Sequence, residues 1–230
     1  MFNHQAARSS ASDELVYVQN QTTSAAKPSF VYQSVVKRGF DTLCILLSLP
    51  FILPILIVVA LLIARDGHSP LYSQKRIGLN GKVFKLWKLR TMVPNAELRL
   101  QELIKADPAV AREWNKDQKL KNDPRITKIG QFLRKTSIDE LPQLWNVLRG
   151  DMSLVGPRPM MTDQKDLYKG QAYYEMRPGL TGLWQISDRN NCTFAARASF
   201  DTKYHQQMSF VEDCRILVAT VGVVVRGTGY

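Results

Sequence analysis

Between Leu43 and Ala64 the chain runs 22 residues, LCILLSLPFILPILIVVALLIA, without a charged side chain. At about 1.5 Å per residue, a helix of that length is long enough to cross the hydrocarbon layer of a bilayer. A soluble helix is seldom apolar all round over such a distance, so the segment predicts a membrane element that dictates where the rest of the chain sits. Pro50 and Pro54 stand in its middle, and each removes a backbone donor and favours a kink. Lys37 and Arg38 precede the segment and Arg65, Lys75 and Arg76 follow it, so neither flank is depleted in positive charge as the outer end of a span should be. A kinked re-entrant helix that enters and leaves by one leaflet satisfies both features. The competing form is a spanning helix with a proline kink.

The remainder divides around this element. Residues 1–33 are rich in Ser, Ala, Gln, Asn and Thr without apolar periodicity and predict a disordered tail. Residues 34–66 form the anchor, and 67–230 are long enough for one domain with its own core. The net charge of +11 calls for an anionic partner: nucleic acid, a membrane surface or a phosphorylated substrate. No nucleic-acid reader motif is present, which leaves the other two. Cys44, Cys192 and Cys214 are far apart, and His4, His68 and His205 have no ligand spacing, so a zinc site or a disulfide framework is not expected.

The domain predicts an α+β, mostly helical fold. Leu71–Arg90 carries Asn80-Gly81 between partly alternating runs, the pattern of a β-hairpin with a tight primed turn. From Asn95 to Lys121 the chain favours helix and is divided by Pro108. After the Asn122-Asp123-Pro124 turn, Ile126, Ile129, Phe132 and Leu133 give a basic amphipathic segment one apolar face. Gly170–Glu175 and Asn190–His205 read as short helices and loops, and Ile216–Val225 as an apolar run too short to span, best packed on the domain.

The chemistry concentrates in RKTSIDELPQLWNVLRGDMSLVGPRP, Arg134 to Pro159. Asp139 and Glu140 are adjacent acids, whose repulsion a metal ion or a helix N-terminus offsets. Ser137-Ile138-Asp139-Glu140 matches a capping box, but a helix capped at Ser137 would hold Pro142 at its fifth residue, where it forfeits a hydrogen bond. A helix starting at Asp139 puts Pro142 in the first turn and both acids at the positive end of the dipole. Cap and catalytic pair both stay open on these grounds. Arg158, held between Pro157 and Pro159, is preorganised for paired hydrogen bonds to phosphate. Arg177 precedes Pro178 in RPGLTG, whose glycines permit a close backbone approach to a ligand. Three arginines and two acids without a histidine base point to phosphate chemistry aided by a divalent cation.

SIDELPQLWNVLRGDMSLVGPRP (Ser137–Pro159) and RPGLTGLWQ (Arg177–Gln185), with KRGFD (Lys37–Asp41) and KLRTM (Lys88–Met92), resemble the bacterial sugar transferases, the monotopic phosphoglycosyl transferases, over nearly all of Val35–Tyr230. The short members that start exopolysaccharide repeat units are the most similar. The resemblance implies a re-entrant anchor, a small cytosolic domain with interfacial amphipathic helices, and a place on the bacterial inner membrane. It also implies transfer of a hexose 1-phosphate, galactose or glucose, from a UDP-sugar to undecaprenyl phosphate. Asp139 would be the nucleophile of a covalent aspartyl intermediate, and Glu140 the ligand of Mg2+. Arg134 would hold the lipid phosphate and Arg158 and Arg177 the donor, with Lys88, Arg90 and Asp201 lining the site. The family's Ser-Pro break reads Leu49-Pro50 here, with the serine one place earlier at Ser48. A homodimer is compatible with an exposed membrane face. The alternative from another class is a non-catalytic basic scaffold on the membrane surface.

Overall fold

The computed structural model describes residues 30–117, 120, 122–187 and 194–225. Residues 1–29 of the expected tail, Cys192 and the last five residues lie outside these, while residues 30–33, also expected in the tail, are helical. A π-helical turn at Tyr32–Val36 runs into helix α1, Lys37–Ala64. Both prolines fall inside α1, and the helix continues through them. Pro50 has no N–H for the Leu46 carbonyl four residues back. The Ser48 hydroxyl donates to Ile45 O at 2.9 Å, so the shifted serine does not serve that carbonyl.

Helix α1 touches the domain at both ends and is bare between them. At its start Ile45 is buried in the main core with Val147, Val155, Tyr204 and Ile216. Arg38 donates to the carbonyls of Val147 and Leu148, and Asp41 Oδ2 accepts from Ser153 Oγ at 2.6 Å. At its end Ile63 packs with Leu89 and Leu133, joined by Leu56, Val59 and Ile138. Between these contacts Leu46, Leu47, Phe51, Leu53 and Ile55 are exposed.

Strands β1 (Leu71–Ile77) and β2 (Val83–Leu89) form the expected hairpin, with β4 (Met160–Met161) on the other edge of β1. The connection is wider than a two-residue turn. Ile77 pairs with Val83, so Gly78–Lys82 form a five-residue loop around a 3-10 turn, with Gly78 N to Lys82 O at 2.7 Å. Asn80 and Gly81 both take positive φ, the conformation their side chains favour, but within this longer loop.

Helices α2 (Ala96–Ala106) and α3 (Pro108–Asp117) are separated at Pro108 as expected. Helix α4 (Lys128–Thr136) buries Leu133 alone of its apolar side chains, leaving Ile129 and Phe132 exposed. Helix α5 (Gln143–Arg149) leads to β3 (Ser153–Val155), which pairs in parallel with β5 (Gly179–Thr181). The glycines of RPGLTG serve this pairing. A Cβ on Gly179 would stand 2.1 Å from Gly156 N, and one on Gly182 2.1 Å from Gly156 O, so the close approach expected towards a ligand is made to the protein's own backbone.

A short helix α6 (Leu183–Ile186) precedes α7 (Phe194–Gln207), which is longer than the short elements expected there. Helix α8 (Phe210–Val225) is half core: Ile216 is fully buried, while Val211, Val218 and Val221 are open. The expected packing against the domain thus holds for one face only.

Candidate active site

The local fold around the acids differs from both expected forms. Ser137 takes a left-handed conformation, φ 58°, and closes α4 with its N–H on Leu133 O and Arg134 O; its side chain caps nothing. No capping box forms. Ile138–Glu140 make a separate 3-10 turn, and α5 begins at Gln143 with Pro142 as its N-cap residue. Pro142 therefore falls just outside the helix, where its missing donor costs nothing. The acids precede the helix instead of opening it.

The turn packs inwards through Ile138, which joins the cluster of Ile63, Leu89 and Leu133 at the end of α1. Asp139 is only 7% exposed. Burial, its largest influence, pushes its carboxyl up to about 6; the positive charge of Lys88 opposes this, Glu140 adds to it, and Arg134 opposes it more weakly. Lys88 Nζ sits between the acids, 2.6 Å from Glu140 Oε1 and 4.0 Å from Asp139 Oδ2. Among the described residues no side-chain donor stands within hydrogen-bond distance of Asp139. The carboxylate is thus buried with a cation nearby but not bonded to it.

Lys88 and Glu140 open onto a cleft shared with Arg76, Gln143, Arg158 and Gln185. Arg76 is half-buried and gives hydrogen bonds to Gln74 Oε1 and Pro159 O, while burial and the neighbouring charge of Arg158 lower its affinity for its proton. Two arginines facing one cleft favour an anion between them. Arg134 also acts on Asp139, its Nε donating to Thr91 Oγ1 at 2.9 Å.

Arg90 and Arg177 are engaged by other parts of the fold, and Asp201 lies in an adjoining recess. Arg90 grips Asp66 through both terminal nitrogens, at 2.7 and 2.6 Å, and donates to Ser69 O and Ile63 O, tying the hairpin to the end of α1. Arg177 donates to Gly150 O at 3.1 Å near Arg38, so the two arginines serve the carbonyl end of α5. Asp201 occupies a second recess beyond Arg158, walled by Tyr168, Trp184 and Arg197. Burial pushes its carboxyl up to about 7, against the hydrogen bond from Tyr168 and the charge of Arg197.

Arg76, Gln143, Trp184 and Arg197 are cleft residues that sequence reasoning missed. For Arg76 the signal lies in the hairpin register. The observed pairs Arg76–Phe84 and Tyr72–Lys88 put Arg76 and Lys88 on one face. A two-residue Asn80-Gly81 turn would have paired Arg76 with Lys85 and turned Lys88 to the opposite side.

Asp139 and Glu140 supply two oxygen donors, and no group of three His, Cys, Asp or Glu able to hold a metal occurs among the described residues. That fits Mg2+, which takes one or two carboxylates and completes its shell with phosphate and water.

The family model for bacterial sugar transferases matches residues 32–227. A UDP-galactose-lipid carrier transferase of Erwinia amylovora is 46% identical over 196 residues, which are 84% of this chain and 41% of that protein. An undecaprenyl-phosphate galactose phosphotransferase of Salmonella typhimurium is 47% identical over 196 residues, again 84% of this chain and 41% of the other. The exopolysaccharide production protein ExoY of Sinorhizobium fredii is 46% identical over 212 residues, 91% of this chain and 92% of its own. The chain therefore spans about two fifths of the first two relatives and nearly all of the third.

Proposed function

The chain belongs to the bacterial sugar transferase family, and from that premise we propose that it transfers a hexose 1-phosphate, from UDP-galactose or UDP-glucose, to undecaprenyl phosphate at the cytosolic face of the inner membrane, starting an exopolysaccharide repeat unit. The observation that carries this reading is the seating of the acid turn. Ile138 packs on the cluster that includes Ile63 of α1, Glu140 lines the basic cleft, and Asp139 stands 4.0 Å from Lys88, which lines it too, so a soluble anion and a lipid headgroup would converge on one carboxylate.

In the first step an ionised Asp139 oxygen attacks the sugar-bearing phosphorus, the bond to the bridging oxygen breaks, and UMP leaves with that electron pair. In the second a phosphate oxygen of undecaprenyl phosphate attacks the same phosphorus and Asp139 leaves as carboxylate. Neither step needs a proton transfer, which suits a site without a histidine base. A buried carboxyl titrating about 6 is more basic than an exposed aspartate yet ionised at neutral pH, the compromise a nucleophile needs. Arg76 and Arg158 would hold the diphosphate and Arg134 the acceptor phosphate. Glu140 would hold Mg2+, whose contribution is to neutralise the diphosphate. Lys88 restrains the repulsion between the acids.

The contacts at both ends of α1 support the re-entrant form, since each end returns to the same domain. Accessibility of tags at residues 1 and 230 from opposite sides of the membrane would overturn it. The covalent step is tested with labelled UDP-sugar and no lipid: phosphohexose should appear on Asp139, and its absence where turnover proceeds would exclude the aspartyl route.

A further inference from the structure

The cleft continues past Arg158 into the recess walled by Tyr168, Trp184, Arg197 and Asp201. Its aromatic faces are already engaged. Arg197 lies 4.3 Å and Arg158 5.7 Å from the centre of the Trp184 ring, and Tyr168 packs on Tyr173 at 5.5 Å. A planar base entering here would have to compete with these guanidiniums for the indole.

The hydrogen-bonding groups have the opposite character. Tyr168 Oη donates to Asp201 Oδ2 at 2.9 Å and holds the carboxyl in place, and Oδ1 accepts no hydrogen bond among the described residues. Trp184 is 8% exposed, and its indole N–H is buried with no acceptor among the described residues. A buried donor left unpaired is costly, and native sites keep such groups for a ligand. Guanidinium and indole donors set around one carboxyl complement a ring of hydroxyls, each of which both donates and accepts.

We propose that this recess takes the sugar ring of the donor, with Asp201 accepting from its hydroxyls and thereby selecting which hexose is transferred. The inference rests on the transferase reading. It makes Asp201 a specificity residue set apart from the acids that do the chemistry, with Arg158 at the junction between the phosphates and the ring.

The test compares wild type with Asp201→Asn and Tyr168→Phe, each as the full chain in nanodiscs, by UMP release from UDP-galactose, UDP-glucose and donors lacking single sugar hydroxyls. For Asp201→Asn, kcat/KM with the preferred donor should fall about 10- to 100-fold, the loss of one charged hydrogen bond. Donors lacking the hydroxyl it reads should lose little more, so discrimination collapses, while inhibition by UMP stays within about twofold of wild type. Tyr168→Phe should move discrimination the same way by a smaller factor, and it decides the matter alone if Asp201→Asn does not fold. Equal loss on every donor, or UMP inhibition weakened as much as kcat/KM, overturns the proposal; the latter would put the nucleoside in the recess. No UMP release from any UDP-sugar by the wild type would overturn the transferase reading itself, a distinct result.

Discussion

Two buried aspartates, Asp139 and Asp213, show how differently one fold can treat the same side chain. Asp213 is fully buried, and both its oxygens are used: Tyr204 Oη donates to Oδ1 at 2.6 Å, Tyr32 Oη to Oδ2 at 2.7 Å, and the ammonium of Lys37 closes on Oδ2. This network bolts the start of α1 to α7 and α8. Asp139 is nearly as buried, but its closest cation is 4.0 Å away and a second acid adjoins it. A buried carboxylate with its partners in hand holds the fold together. One denied them is held ready for a ligand, at a cost in stability.

The comparison can be broken most directly by removing the carboxylate from each site. Asp139→Ala should lower turnover by about 10⁴-fold or more, since the nucleophile proposed for this position acts as part of a unit whose loss is not made good by its neighbours. Asp213→Asn should leave any properly folded enzyme active but destabilise it by about 3–5 kcal/mol, because Lys37 stays buried without its counter-charge. Unfolding in detergent, followed by circular dichroism, would measure this. Equal stability for that variant and wild type would remove the architectural reading.

Asp139→Asn should move stability the other way. The carboxyl titrates about 6 in the folded protein against 3.8 when unperturbed. Between those values the folded state binds more protons than the unfolded one, so stability falls as pH rises through the window, and the full penalty of about 2–3 kcal/mol stands above it. Relative to wild type, the asparagine variant should therefore melt higher at pH 8, with the gain fading towards pH 4. A fourth measurement concerns Lys88. Wild-type kcat/KM should rise as pH rises through about 6, when Asp139 ionises. Lys88→Met should carry that rise to higher pH, because the ammonium holds the carboxyl down. An unmoved midpoint would show that Lys88 acts on Glu140 alone.

Much of the fold was legible because its signals are local. The apolar run, the hairpin strands and the division at Pro108 each follow from periodicity or from a residue that cannot continue its element. The turn between the strands was misjudged by three residues, and with a period of two that error reversed the face on which Arg76 and Lys88 meet. Ser137 matched a capping box by spacing yet ended the preceding helix, since a left-handed residue there closes α4 onto its own carbonyls.

From the sequence alone, the protein is determined to be a basic, mostly helical domain with one long apolar segment, an acid pair and arginines suited to phosphate. The tertiary structure decided which of those arginines face the pair. Arg158 reaches the cleft, whereas Arg90 and Arg177 are spent on Asp66 and on the end of α5. It also decided that Asp201 shares a recess with Arg158, Tyr168, Trp184 and Arg197, and that Ile138, beside Asp139, packs on the cluster at the end of the apolar helix. The reason is range: chain periodicity is written over a few residues, but the choice of partner among 31 lysines and arginines is made by packing between segments up to a hundred or more residues apart.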